Sequence, residues 1–373
     1  MARRVILTVG TKRGLFLLES GTGRKRWTVS GPHLKGWSVP YAVLDTRGTP
    51  TLHAGASHFA FGISLQSAPL KSLKFKACEK LPEFPKLNEK AADFAQKYGI
   101  DQGSKIWNIT PGPAKQKKVL YMGTAPAGLF RSDDSGKSWA PVTGLNEHET
   151  RADWSPGAGG QCLHSFQIDP HDPRRMWAAV SAAGAFRTDD GGATWKPINT
   201  CVAPYVGAPE QTEVFSCVHK LLVHPTAPGV LFQQNHVGVY RSTDHGDTWT
   251  RIDAGLPYDF GFGLALDAND PGACYVIPLE PEGYSFRATN GALAVYRYGR
   301  GGKWKNSSKG LPRKHAYVSV LRQAMTSDAL DPCGVYFGTQ GGTVFASGDG
   351  GASWGVAAEY LPTIHSVTAA VVE

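Results

Sequence analysis

An eight-residue phrase, Ser/Thr-x-Asp-x-Gly-x-Ser/Thr-Trp, occurs four times in this chain and limits its fold more than any other feature. The copies run Ser132 to Trp139, Thr188 to Trp195, Ser242 to Trp249 and Ser347 to Trp354, at a near-constant period. Its chemistry is that of a hairpin turn. The Asp side chain can accept hydrogen bonds from nearby backbone N–H groups, and the Gly two residues later can take the positive φ that the turn needs. The Trp then opens the next strand and covers the turn with a large apolar ring. A repeat of this kind points to one repeating body of short strands, even in a chain of 373 residues.

Strand pairs lead into each turn, apolar residues alternating with polar or small ones. They are Val5 to Val9 with Gly14 to Leu18; Thr51 to Gly55 with Phe59 to Ser64; Val119 to Gly123 with Gly128 to Arg131; Met176 to Val180 with Ala185 to Arg187; Val230 to Gln234 with Gly238 to Arg241; Cys274 to Pro278 with Leu293 to Arg297; and Gly334 to Gly338 with Thr343 to Ala346. The first and sixth units end in decayed turns, at Ser20 to Trp27 and Tyr298 to Trp304, and the second has Phe75 where the Trp should stand. Seven units result.

The phrase resembles the Asp-box, or BNR repeat, of sialidase-type β-propellers. The resemblance implies an all-β, seven-bladed β-propeller of four-stranded blades, a single domain over 1–373. Blades are expected near 1–30 plus 364–373, 37–79, 105–142, 161–198, 216–253, 260–307 and 316–357. The tail from Ile364 to Val372 has no blade of its own and no strand precedes Val5, so the tail should be the innermost strand of blade one. The other inner strands are expected at Ser38 to Asp45, Lys105 to Thr110, Gln161 to Asp169, Ser216 to His224, Phe260 to Asp267 and Ala316 to Met325. The insertion at 80–104 breaks the repeat. Within it Leu87, Ala91, Phe94, Ala95 and Tyr98 have helical spacing, which predicts an amphipathic helix over the channel mouth, serving as a lid or specificity wall or simply packed on the rim.

Composition is that of a globular chain, 41% hydrophobic and 19% charged. No apolar run is long enough to span a membrane, and the start lacks a signal-peptide core, so a cytoplasmic protein with reduced thiols is expected. The net charge of +8 is spread thinly and no basic strip is interleaved with aromatics, which argues against nucleic acid. Oligomeric state is left open.

Candidate functional residues are those that the propeller would bring to the mouth where the inner strands begin. His164, His219 and His365 fall at one level of three inner strands. The catalytic candidates are His164, His219, His236, Glu280 and Asp259. The substrate-binding candidates are His33, Lys35, Trp37, His58, Trp107, Arg151, Tyr284, His315 and Gln340. Convergent imidazoles suit acid/base work or a divalent metal, Zn or Mn, with His164, His219 and His365 as ligands. The pairs Cys162-x-His164 and Cys217-x-His219 would also suit a thiolate-containing site, against a packing role for the cysteines.

Sialidase chemistry itself is not expected. The arginines near the mouth, Arg13, Arg151, Arg287 and Arg313, are few, and the early Phe/Tyr-Arg-Ile-Pro segment of that family is missing. The segments Gly31 to Trp37, Ser155 to His164, Cys217 to Lys220, Gln233 to His236 and Pro278 to Glu280 look like those of a bacterial group of single-domain BNR propellers, described generically as glycosyl-hydrolase-like or exo-sialidase-like. Three readings follow: a carbohydrate-active hydrolase or uronate lyase for a small or acidic saccharide, a metal-dependent enzyme on another substrate, and a non-catalytic binding or assembly scaffold.

Overall fold

The computed structural model describes residues 3–100, 103–204, 213–299 and 301–373, the side chain of Tyr284 excepted. The four repeated turns share one geometry. Asp134 accepts from the backbone N–H of Lys137 and Ser138 and from the Ser132 and Ser138 hydroxyls, while Ser132 Oγ accepts from Gly136 N. Asp190, Asp244 and Asp349 take corresponding bonds. These donors, the Ser138 hydroxyl first, hold the Asp134 carboxyl down to about 2. Trp139 and Trp195 Nε1 close their own turns on Gly136 O and Gly192 O (both 3.2 Å), whereas two indoles tie blade to blade: Trp249 Nε1 donates to Ile198 O (2.7 Å) and Trp354 Nε1 to Ser307 O (2.6 Å), each on the preceding blade.

Seven sheets result, six of four strands and one of five. Sheet one runs Ile364–Val372, Arg4–Thr11, Gly14–Gly21, Thr28–His33, so the tail is its innermost strand as expected. The other inner strands are Ser38–Asp45, Lys105–Pro111, Cys162–Ile168, Val218–Val223, Gly261–Leu266 and Met325–Ser327. Each lies against the next around the ring, and Met325–Ser327 returns to Ile364–Val372. Apolar clusters fill the wedges between blades, such as Tyr121 and Phe166, ring centroids 4.7 Å apart, between blades three and four. Among the described residues no helix is long and apolar enough to cross a membrane. The six cysteines are unpaired.

Two expectations are corrected. Blade seven's inner strand does not start at Ala316; residues 316–324 are largely irregular, with a lone bridge from Gln323 to Ser366, and the strand itself is Met325–Ser327. The cause is polar. Instead of alternating along a strand, Arg322 and Gln323 reach across the channel, Arg322 Nη1 donating to Cys162 Sγ (3.4 Å) and Gln323 Nε2 to His164 O. Lys220 Nζ makes a second crossing, to Met325 O. These contacts divide the channel into a cavity of about 380 Å³ at the N-terminal ends of the inner strands and another of about 430 Å³ at their C-terminal ends.

The second correction concerns the insertion. Its helix forms at Glu89–Lys97, with Asn88 Oδ1 accepting from Ala91 N (2.7 Å) as the N-cap. Ala91 and Ala95 are buried, but Phe94 and Tyr98 lie on the surface as a ring pair 4.7 Å apart. Asn88 Nδ2 donates to Ala152 O (3.1 Å), which fixes the segment to the rim, and none of the helix lines the mouth cavity.

Candidate functional site

The bulges that interrupt the inner strands decide what the histidines do. Pairing slips between Leu163 and Ser165 in blade four and between Val218 and Lys220 in blade five, so His164 and His219 are both released from the ladder. Each then crosses to the next blade. His164 Nε2 donates to Val218 O (2.8 Å) and His219 Nδ1 donates to Gly261 O (2.7 Å).

The following residue separates their fates. Ser165 Oγ accepts from Leu221 N (3.2 Å) and donates to His164 Nδ1 (3.0 Å), so both nitrogens of His164 are occupied and the ring is fully buried. After His219 comes Lys220, which reaches elsewhere, and His219 Nε2 keeps its lone pair for the mouth cavity. His164 is therefore an inter-blade fastener rather than a base or a ligand, and the expected metal set of His164, His219 and His365 is not assembled. Among the described residues, the group whose donor atoms come within 4.8 Å of one another is Cys217, His219 and His236.

The mouth cavity is walled by Trp107, Phe260, Phe262 and Phe286, with Lys105, Arg322 and His365 as its basic side chains beside His219 and His236. Among the described residues, none that lines it is Asp or Glu. His219 packs edge-on against Phe260 (5.2 Å) and against His236 (5.6 Å). Burial, and then the Arg322 charge, hold the His219 imidazole well below its ordinary 6.5. Burial, with Lys105 and Lys12, pushes His365 down to about 4. Both rings are neutral near pH 7.

Arg322 is the residue that sequence reasoning missed. It is 7% exposed and stacked between Trp107 (5.6 Å) and Phe262 (5.5 Å), and no described carboxylate pairs with it. A lone Arg inside the apolar stretch from Val318 to Met325 was the available signal. Lys105 was likewise passed over, as the first residue of an inner strand.

Of the other candidates, Trp107 and Gln340 line the cavity. Trp37 and His58 are not among its lining residues; their ring centroids lie 5.3 Å apart, beside Phe61, which is 74% exposed, and Phe59, which is 99% exposed. Lys35 and His315 are exposed loop residues, and His33 packs by Phe75 (6.4 Å) in the outermost strand of blade one. The side chain of Tyr284 lies outside the described residues. Arg151 is structural: Nη2 donates to Ala127 O (2.6 Å) over the Trp154 ring, and burial pushes it down to about 10. Both carboxylate candidates are engaged away from the cavity. Asp259 accepts from Arg251 (2.8 Å), and Glu280 accepts from Asn290 N (2.6 Å) and Arg287 (3.0 Å).

The buried histidines give a pH signature. Burial holds His53, 3% exposed, down to about 4, as it does His365, while the unfolded chain takes up these protons near 6.5. Stability from these groups is full above pH 6.5 and is lost as pH falls toward 4, by on the order of 3 kcal/mol for His53 alone. Tm measured by circular dichroism should fall steadily from pH 7 to 4.5; a flat profile would contradict these assignments.

No known family profile matches the chain. A xyloglucanase of Paenibacillus sp. is 26% identical over 149 residues, 37% of this chain. The match spans only 13% of that relative's length. The solved GH74 enzyme of Niastella koreensis superposes with a TM-score of 0.60 over 93% of this chain and 54% of its own, at 15% identity. YCF48 bound to a D1 peptide superposes with a TM-score of 0.50 over 86% of this chain and 84% of its own, at 12% identity. The structural likenesses establish the propeller fold, shared with GH74 enzymes.

Proposed function

We propose that this chain is a carbohydrate-active enzyme for an acidic saccharide, bound with its carboxylate inward in the mouth cavity. The observation that carries the reading is Arg322, a buried guanidinium facing the cavity among aromatic rings without a carboxylate partner among the described residues. A buried charge requires compensation, and the guanidinium fork matches a planar carboxylate. Lys105 adds a second positive charge, and the aromatic walls offer flat apolar surfaces for the C–H faces of a sugar ring. The partial match to a xyloglucanase supports the carbohydrate class.

Among the described residues the cavity wall offers no pair of carboxylates to flank a glycosidic bond. The residues favour β-elimination from a uronate. Neutral His365 would take the proton α to the carboxylate, and Arg322 would steady the resulting enolate. The β C–O bond then breaks to leave the unsaturated sugar, and the departing oxygen takes a proton from solvent, to which His365 returns the one it accepted.

Calorimetric binding of uronate oligosaccharides against neutral ones of equal length tests this, with Arg322→Met beside the parent. The uronates should bind at least about tenfold more tightly, a difference of about 1.4 kcal/mol, and the variant should lose that preference. Its Tm should hold or rise, because a buried unpaired charge is removed. Equal affinity for neutral sugars, or an unaffected variant, would refute the reading. Growth of ultraviolet absorbance from a conjugated product would mark elimination; new reducing ends without it would mark hydrolysis.

A further inference from the structure

From the convergence of Cys217, His219 and His236 on the cavity wall, we infer that the chain holds one zinc ion, with the fourth position open to the cavity. Cys217 and His219 come from the start of blade five's inner strand, and His236 from the hairpin after its neighbouring strand, where His236 N donates to Cys217 O (2.9 Å). One short stretch of paired backbone therefore carries all three donors.

Their atoms lie within 4.8 Å of one another. Tetrahedral zinc, with bonds of about 2.3 Å to sulfur and 2.0–2.1 Å to nitrogen, needs donors roughly 3.3–3.7 Å apart. The remaining adjustment is about an ångström, within reach of a half-buried side chain on a hairpin such as His236.

The surroundings are those of a ligand set. The Gly261 carbonyl accepts a hydrogen bond from His219 Nδ1–H, which fixes the ring and leaves the Nε2 lone pair for a metal. Ser181 Oγ lies 3.5 Å from Cys217 Sγ and can donate to the thiolate. Phe260 and Phe262 pack against the imidazole at 5.2 and 4.6 Å, shielding it from bulk water. One thiolate with two imidazoles is a soft donor set, which selects zinc over manganese, magnesium or calcium. Three protein ligands with one vacant position is also the pattern of zinc that acts on a ligand rather than only bracing a fold. On binding, one Zn–S and two Zn–N bonds form as water ligands leave the ion, and the Cys217 thiol gives up its proton to solvent.

Tag-free protein stripped with a chelator should take up one equivalent of Zn²⁺ by elemental analysis. With Co²⁺ it should develop the near-ultraviolet thiolate-to-metal band. Cys217→Ala should abolish the band, and His236→Ala should weaken binding by about a hundredfold. Cys201→Ala, an exposed cysteine outside the group, should change neither. Should Cys217→Ala not fold, alkylation of the parent followed by mass spectrometry decides: Zn²⁺ should protect Cys217 and not Cys201. Absence of the band, its persistence in Cys217→Ala, or alkylation of Cys217 unaffected by zinc would each overturn the inference. No saccharide enters this experiment, so its failure leaves the Arg322 binding test standing, and the reverse holds.

Discussion

A chain cut after Thr363 is expected to lose its cooperative thermal transition. The missing strand pairs with Arg4–Thr11 along its whole length, from Arg4 opposite Val372 to Thr11 opposite Ile364. It also carries Ile364 and Val367, each buried to within 1%. Each such side chain contributes roughly 1.5–3 kcal/mol by burial. Its removal bares a second row of unpaired backbone beside Val5, Leu7 and Val9, all fully buried in the intact ring. Against a total stability of roughly 5–15 kcal/mol, these losses together are disabling. Circular dichroism of the truncated chain should show no sharp melt, and a synthetic peptide of residues 364–373 added in trans should restore part of it by strand addition. A truncated chain melting like the intact one would remove this topology.

Arg24→Met should be the most damaging single substitution away from the cavity. Arg24 lies in the decayed turn of blade one, yet its side chain is 4% exposed and pairs at 3.2 Å with Asp328 of blade seven, which is 0% exposed. It also donates to Pro332 O and Gly348 O, both 2.9 Å away. Asp328 meanwhile accepts from Tyr336 Oη (2.6 Å), Gly334 N (2.9 Å) and Leu330 N (3.0 Å), so it is held in place and cannot turn to solvent. Removing the guanidinium strands that carboxylate, at about 3–5 kcal/mol. The Tm should fall by roughly 10 °C, and Arg24→Met combined with Asp328→Asn should recover part of the loss. A single variant melting within a degree of the parent would show that the pair carries no net stability.

The architecture was legible because its determinants are local. Each repeated turn is closed by Asp, Gly and hydroxyl groups a few residues apart, and the unit count follows. Legibility ended where contacts span the ring. The stretch from Ala316 to Ala324 reads as a strand, since nothing nearby reveals that Arg322 and Gln323 have partners in blade four, at Cys162 and His164. The histidines show the same limit at finer grain. His164 and His219 hold equal positions in the repeat and a bulge releases both; the neighbour, Ser165 or Lys220, decides which one keeps a nitrogen for the cavity. Glu280 and Asp259 were near the mouth in sequence terms, but nearby arginines claim both.

The crossings made by Arg322, Gln323 and Lys220 turn a tube into a cup. Traffic is then one-way in and the same way out: whatever enters beside Trp107 must leave at the same end, and cannot be threaded through. A polymer could offer only an end or a side branch to such a vessel. The lower basin, below the floor, shares the ring's axis but none of its commerce.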